Sequence, residues 1–394
     1  MPLGLYLSVP FCRTKCTYCN FASDVFSRTV FERYVDRICA DIHSTPETAR
    51  LMGGRPETEI DSIYLGGGTP TVLESHQLER LFVTVRQNFS LQPETEVTVE
   101  CAPGTLTSPI LETLLKCGVN RVSLGVQSFI DEEASAVGRL HKRGTVLDDV
   151  SRLRRSGIAH INIDLIAGLP HQTAESWNDS VESAIALGVP HVSVYMLEVD
   201  EDSRLGRELI AGGTRYHAHF VPDEELTADL YESACERLNA AGNSQYEISN
   251  FARAGFESRH NLKYWKRQPY VGFGVDAHSM LLSVAGELES VRFSTPDSLE
   301  QYVANAPLQR IPVSRQAALE ETLFLGLRLT EGVNLEALRT RFGTLVVKAL
   351  EPTLVELGRI GLMDRVDDQI QLTPRGRLLS NEVFARFLTE RTAT

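Results

Sequence analysis

Three cysteines lie within eight residues near the start of the chain, at Cys12, Cys16 and Cys19, in the spacing C-x-x-x-C-x-x-C. They follow an apolar run, residues 3–9, that predicts a β-strand. A loop this short can wrap three thiolates around one corner of a compact metal centre. A 4Fe-4S cluster normally takes four thiolates, so three protein ligands would leave one iron open for a small molecule. The loop therefore predicts an iron–sulfur cluster with an open iron.

Two other interpretations of these cysteines stay open. A structural zinc site normally closes with four ligands, often in C-x-x-C pairs, and no fourth Cys or His lies near this loop in the sequence. The cysteines could also be unconnected members of a hydrophobic core. We favour the cluster over both alternatives.

Length and composition bound the other properties of the chain. With 394 residues and 42% apolar side chains, it is long enough for two domains and a sizeable core. A net charge of −13 argues against general binding to nucleic acids or anionic membranes. Seven cysteines, an odd number with three clustered, favour a reducing compartment over a disulfide framework. With no secretory signal and no apolar stretch of membrane-spanning length, a cytoplasmic protein is predicted.

The first half of the sequence alternates strand-like and helix-like segments. Gly118, Gly157 and Gly188 stand where a helix would pass into a strand, a position that favours a left-handed backbone. Six βα units predict a parallel sheet, although periodicity alone does not separate a partial barrel from a doubly wound sheet. The predicted strands are residues 3–9, 60–65, 97–100, 121–126, 158–165 and 191–196.

Glycines and polar residues stand at the ends of these predicted strands. The run Gly66-Gly67-Gly68-Thr69-Pro70 follows the second strand, and consecutive glycines let the backbone approach a ligand closely, although a tight turn explains them as well. Glu100 ends the third strand, Gln127 follows the fourth and Asp164 ends the fifth. Each could be an ordinary cap or loop residue. Because chemistry in such barrels gathers where strands end, together they predict one pocket that hydrogen-bonds a ribose and a carboxylate.

The cysteine spacing, with Tyr18 before the third cysteine and Tyr6 on the preceding strand, resembles the radical S-adenosylmethionine superfamily. The resemblance implies that the methionine moiety chelates the open iron and that an electron from the cluster cleaves the sulfonium to a 5′-deoxyadenosyl radical. It also implies an α/β fold class: a partial six-stranded (β/α)6 TIM-like barrel with a smaller, mainly helical, winged-helix-like C-terminal domain.

Within that superfamily, the strand-end residues and Arg139 resemble the subfamily of oxygen-independent coproporphyrinogen III oxidases (HemN) and HemW heme chaperones. The resemblance implies that Cys12, Cys16 and Cys19 bind the cluster. The S-adenosylmethionine contacts that it implies are Tyr6, Gly67, Gly68, Thr69, Glu100, Gln127, Arg139 and Asp164.

Two departures separate the branches of this subfamily. The oxidases carry an extra cysteine two residues after the third, whereas this chain has Phe21, which we include among the predicted cofactor contacts. They also have an N-terminal arm that helps to enclose the porphyrinogen, whereas here the first strand is expected to begin at Leu3. An open cavity would expose a propionate radical to water. Both departures favour the HemW branch and count against oxidase activity.

Residues 259–265 contain the HNxxYW motif that marks HemW-like proteins. Imidazole is a common axial ligand of heme iron, and the resemblance implies heme contacts by His260, Asn261, Tyr264 and Trp265. Seen alone, the segment also fits a packed or exposed turn. His278 is a second ligand candidate, for which a structural role is favoured. Because the motif is far from the cysteine loop in sequence, changes in it are expected to leave the cluster undisturbed.

The predicted domains are a barrel over residues 1–240, an extension with the HNxxYW motif over 241–298, and a helical domain over 299–394 that begins in a proline-containing linker, residues 294–312. The last domain resembles a winged-helix module. Its acidic and basic residues balance, whereas a DNA reader would usually show a basic excess. A lid or partner-docking role is therefore favoured.

The function predicted from the sequence is a heme chaperone that carries a 4Fe-4S cluster and S-adenosylmethionine and delivers heme to an acceptor protein. The alternative is an oxygen-independent coproporphyrinogen III oxidase, which would abstract a propionate hydrogen and release carbon dioxide. No catalytic residue is assigned, so enzyme activity stays open. A zinc-stabilised nucleic-acid-binding protein is a third, less supported class. Predicted partners are a heme-accepting protein and an electron donor such as a flavodoxin or ferredoxin, with no nucleic acid and with a homodimer left open.

Overall fold

A twelve-stranded sheet organises the chain up to Val313, in a computed structural model that describes residues 1–388. Six parallel strands form its centre, neighbours in chain order. They are β1 (Leu3–Val9), β2 (Glu59–Gly67), β3 (Ser90–Cys101), β4 (Arg121–Gln127), β5 (His160–Ala167) and β6 (His191–Met196). Each of the six predicted strands is confirmed.

Helices connect the central strands and cover one face of the sheet. Three-residue 3-10 turns lie at Arg28–Val30 and Pro70–Val72. The helices are α1 (Phe31–Met52), α2 (Ser75–Asn88), α3 (Ser108–Lys116), α4 (Asp131–Ala136), α5 (Arg143–Arg155) and α6 (Ala174–Leu187). The predicted junction glycines, Gly118, Gly157 and Gly188, all have positive φ, which confirms their helix-ending role.

Residues beyond 240 extend this sheet at both edges, which the sequence did not predict. Antiparallel β8 (Asn250–Ala252) and β7 (Ser244–Gln245) lie beyond β6. On the other side, β9 (Tyr270–Phe273) is parallel to β1. Antiparallel β10 (His278–Leu282), β11 (Ser290–Ser294) and β12 (Gln309–Val313) follow it. The associated helices are α7 (Arg204–Ala211), α8 (Glu224–Ala240), α9 (Arg259–Trp265) and α10 (Leu299–Val303), with a 3-10 turn at Ala218–Phe220.

The predicted linker over residues 294–312 is wrong, because this stretch contains α10 and most of β12. Pro312 lies in β12 opposite Val291 of β11. The strand tolerates this proline because it is the edge of the sheet, where a missing N–H need not leave a partner unpaired.

Helix α9 crosses from one edge of the sheet to the other, since it joins β8 to β9. The backbone N–H of His260 donates to Glu96 of β3 at 3.1 Å, and its ring contacts Ser62 of β2. The ammonium of Lys263 donates to the carbonyl of Pro2 at 2.9 Å. α9 therefore covers the amino-terminal side of the central strands, and the cysteine loop follows the carboxyl end of β1.

The C-terminal residues form a second hydrophobic core, which begins at Val313. Its elements are α11 (Arg315–Gly326), β13 (Val333–Asn334), α12 (Leu335–Phe342), α13 (Thr344–Lys348), α14 (Glu351–Arg359), β14 (Met363–Val366), β15 (Gln369–Leu372), α15 (Pro374–Leu378) and α16 (Ser380–Ala385). The three strands form a small antiparallel sheet. This unit is mainly helical, as predicted. Residues 389–394 of the predicted domain lie outside the described residues.

Among the helices of residues 1–388, none has both the length and the apolar character needed to cross a membrane.

Candidate functional site

The cysteine loop is closed at its base by backbone hydrogen bonds. The N–H of Cys12 donates to the carbonyl of Asp24 at 3.0 Å, and the N–H of Asp24 donates to that of Pro10 at 2.9 Å. Within the loop, the N–H of Cys19 donates to the carbonyl of Cys16 at 3.3 Å. The three thiols are half-buried and form no disulfide. The local fold thus presents three reduced thiols on one short loop.

Each thiol has a polar neighbour. Arg139 donates from Nη1 to Sγ of Cys16 at 3.5 Å, and Thr69 donates to Sγ of Cys12 at 3.8 Å. The hydroxyl of Ser23 lies 3.8 Å from Sγ of Cys19. Burial raises the pKa of the Cys12 and Cys19 thiols above their usual value. A cation or metal beside these two thiols would favour their thiolate form.

The donor set fits an iron–sulfur cluster with three protein ligands, because the three thiols border one cavity. Within residues 1–388, no three His, Cys, Asp or Glu side chains converge closely enough to hold a single metal ion. The cavity has a volume of about 420 Å³ and collects residues from the ends of all the strands β2 to β6. The central sheet therefore curves around it.

The structure brings the predicted cofactor contacts together. Seven of the eight predicted S-adenosylmethionine contacts line the 420 Å³ cavity with the cysteines and Phe21, and the eighth, Tyr6, lines a neighbouring one. The seven are Gly67, Gly68, Thr69, Glu100, Gln127, Arg139 and Asp164.

The glycine run packs against β1 more closely than other residues could. A Cβ on Gly68 would lie 2.7 Å from the carbonyl oxygen of Val9, and Gly67 has φ 97°. The N–H of Gly67 donates to Oε2 of Glu100 at 3.2 Å. The run is therefore a tight turn as well as a wall of the cavity.

Two carboxyl groups face the cavity within hydrogen-bond networks. Glu100 accepts from the hydroxyl of Tyr64 at 2.8 Å, and burial raises its pKa to about 7. Asp164 accepts from Ser123 at 2.9 Å and from Asn162 at 2.7 Å, and burial raises its pKa as well. At neutral pH the carboxyl group of Glu100 is partly protonated, so it can both donate and accept hydrogen bonds.

Gln127 takes a left-handed backbone, φ 69°, at a register shift in the pairing of β4 with β5. Such a conformation costs about 1–3 kcal/mol and persists only where the surrounding structure imposes it. Sequence pattern had no signal for it, because glutamine has no special preference for this region of φ.

Glu100 makes the stability of the ligand-free protein pH-dependent. Its pKa is raised from the ordinary 4.5 to about 7, so the stabilisation is complete below pH 4.5 and is lost as the pH rises through 7. Glu100→Gln cannot ionise at this position, so its unfolding free energy should not show this loss. The difference in unfolding free energy, variant minus wild type, should therefore increase from about pH 5 to about pH 8. Urea unfolding of both proteins at the two pH values measures it. A difference that does not change with pH would contradict the assignment.

A second cavity, of about 300 Å³, adjoins the first and shares Phe21 and Gly67 with it. Its other lining residues are Tyr6, Ser8, Ala22, Tyr264, Tyr270, Val275, Asp276 and His278. The HNxxYW motif is far from the cysteine loop in sequence, but the fold brings the two together, because Tyr264 and Phe21 line one cavity. Tyr270 and Asp276 were not among the predicted contacts, although the glycines of residues 270–279 predict backbone close to a cofactor pocket; the pairing of β9 with β1 brings them here.

The structure argues against the predicted iron-binding role of His260. Its side chain is 1% exposed, with Nδ1 3.0 Å from the hydroxyl of Ser62 and Nε2 2.8 Å from that of Tyr264. Burial lowers its pKa to about 3, so the ring is neutral. Because both ring nitrogens are engaged, His260 positions Tyr264 and offers no nitrogen to iron.

Asn261 and Trp265 line neither of these cavities. The backbone N–H of Asn261 is capped by the hydroxyl of Ser258 at 3.3 Å. The guanidinium of Arg328 lies 4.2 Å from the ring centroid of Trp265, so this ring contacts the connection after α11. Of the four predicted heme contacts, Tyr264 alone lines a cavity described above.

Known proteins match both parts of this chain. Residues 6–184 match the family model of the radical SAM superfamily, and residues 313–379 match that of the HemN C-terminal domain. The heme chaperone HemW of Lactococcus lactis is 33% identical, over 99% of this chain and 98% of its own length. The heme chaperone HemW of Bacillus subtilis is 34% identical, over 98% of this chain and 99% of its own.

A solved structure shares the whole architecture. The coproporphyrinogen III oxidase HemN of Escherichia coli, a radical SAM enzyme, superposes with a TM-score of 0.82, over 98% of this chain and 90% of its own. At 24% identity the likeness establishes the fold. It confirms the predicted α/β radical SAM domain with a helical C-terminal domain.

Proposed function

Because the chain belongs to the radical SAM superfamily, in the HemW branch of the HemN/HemW family, we propose that it is a heme chaperone that binds heme and delivers it to an acceptor protein. The observation that carries the proposal is the pair of adjoining cavities. The cavity at the cysteine loop fits a cluster and S-adenosylmethionine. The second cavity beside it, which we call the aromatic cavity, contains Tyr264, the tyrosine of the HNxxYW motif.

We propose that Cys12, Cys16 and Cys19 hold a 4Fe-4S cluster, which supplies one-electron reduction of S-adenosylmethionine when both are bound. Arg139 donates a charged hydrogen bond to Sγ of Cys16 and so holds this cluster ligand against the cavity wall. The carboxyl groups of Glu100 and Asp164 provide acceptors for hydroxyl and ammonium groups of the ligand. The strained Gln127 and the tight glycine turn hold the cavity wall in place before the ligand arrives.

Phe21 favours the chaperone over the oxidase. Its side chain is 65% exposed and borders both cavities, at the position where the oxidases carry a further cysteine. An exposed aromatic ring can lie against a planar macrocycle. It supplies no group that could take part in hydrogen abstraction.

The test is a comparison of binding with turnover on one preparation. Anaerobically reconstituted protein should bind heme saturably. With S-adenosylmethionine and a reductant it should produce no protoporphyrinogen from coproporphyrinogen III above the control without protein. Heme is followed in the Soret region and the porphyrins by fluorescence after oxidation. Turnover of coproporphyrinogen III would restore the oxidase alternative, and failure to saturate with heme would remove the chaperone.

A further inference from the structure

His278 stands at the rim of the aromatic cavity, at the first residue of β10. Its side chain is 67% exposed, and its Nε2 lies 3.6 Å from Oδ1 of Asp276, too far for a hydrogen bond. Among the described residues lining this cavity, it alone carries an imidazole. Unlike His260, it has a ring that an incoming metal can reach.

The backbone around His278 is held in place by close packing. A Cβ on Gly272 would lie 2.4 Å from the carbonyl oxygen of His278, and one on Gly274 would lie 2.4 Å from that of Ser8. The N–H of Val275 donates to the buried hydroxyl of Tyr34 at 2.9 Å. This loop thus fixes the backbone of His278 next to the end of β1 in advance of any ligand.

The hydroxyls of two tyrosines that line the cavity are already engaged. The hydroxyl of Tyr264 lies 2.8 Å from Nε2 of His260, and that of Tyr270 accepts from Arg292 at 3.0 Å. The carboxylate of Asp276 stands where it could orient the imidazole, as acidic partners of ligating histidines commonly do. Phe21 and Tyr264 offer aromatic surface on the same cavity.

We infer that His278 is the axial ligand of the heme iron, with one edge of the macrocycle in the aromatic cavity beside Tyr264 and Phe21. The inference rests on the proposed heme-binding function and assigns its site. It places the heme at the carboxyl end of β1, next to the cavity of the cysteine loop. His260 then contributes to heme binding by positioning the ring of Tyr264 through their hydrogen bond.

The experiment is a heme titration of full-length protein, purified without a histidine tag, in three forms: wild type, His278→Ala and His76→Ala. His76 is the matched control, since its side chain is 61% exposed and lies 2.7 Å from the carboxylate of Glu32, away from the cavity. His278→Ala should move the Soret band and weaken binding by about tenfold or more, because an axial bond is lost. His76→Ala should behave as wild type.

Free imidazole added to His278→Ala should restore the wild-type Soret position, which a collapsed cavity would not allow. An unchanged Soret band and affinity in His278→Ala would overturn the assignment while leaving the heme-binding function intact. A wild-type protein that does not saturate with heme would overturn the proposed function itself.

Discussion

Cys16→Ser is expected to abolish the 4Fe-4S spectrum after anaerobic reconstitution. The cluster would have three protein ligands on one loop, so losing one leaves two thiolates, and residues 12–20 contain no further cysteine to replace it. A serine hydroxyl is a far poorer ligand for iron than a soft thiolate. The guanidinium of Arg139 would also lose its contact with Sγ of Cys16. Iron and acid-labile sulfide per chain, with the visible absorption spectrum, measure the loss.

Cys235→Ser is the matched control for the cluster. Cys235 is a half-buried free thiol like those of the loop, but it lies in α8 and lines neither cavity. The Cys235→Ser variant should keep the iron content of wild type. Four irons retained per chain in Cys16→Ser would remove the cluster assignment.

Glu321→Gln should be the most destabilising of the charge substitutions that the structure suggests. Glu321 of α11 bonds Arg267 at 2.5 Å and Arg292 of β11 at 2.8 Å, which joins the C-terminal unit to the large sheet. The side chain of Arg267 is 2% exposed. Removing one partner of a buried pair leaves an uncompensated charge, so the loss of unfolding free energy should be about 3 kcal/mol or more. Urea unfolding followed by far-UV circular dichroism measures it.

Glu336→Gln is the matched control, because it gives the loss of unfolding free energy for the same substitution in an exposed ion pair. Glu336 pairs with Arg339 at 2.9 Å in the same C-terminal unit, but its side chain is 65% exposed. Exposed pairs contribute about 0–1 kcal/mol, so this variant should unfold close to wild type. Equal effects of the two substitutions would show that Glu321 does not join the two units.

The outcome for the HNxxYW motif shows why a sequence motif does not by itself identify a ligand. The pattern of histidine and aromatics suggested a face that binds heme, but α9 is inserted against the central strands. The ring of His260 packs 5.3 Å from that of Tyr64, whose hydroxyl donates to Glu100. The motif therefore supports the walls of both cavities. Burial, which depends on where β8 and β9 lie in the sheet, decided this role.

Local chemistry in the sequence determined the six central strands, the glycines that end the helices, the cysteine loop and the strand-end residues of the first cavity. Apolar periodicity and positive φ at glycine are properties of a few neighbouring residues, and parallel strands bring their carboxyl ends to one edge whatever the rest of the chain does. Only the tertiary structure decided that β9 pairs with β1, that His260 is enclosed and that His278 is exposed beside Phe21. These features depend on contacts between residues far apart in the chain. Such contacts form when the whole sheet assembles and leave no pattern in either segment alone.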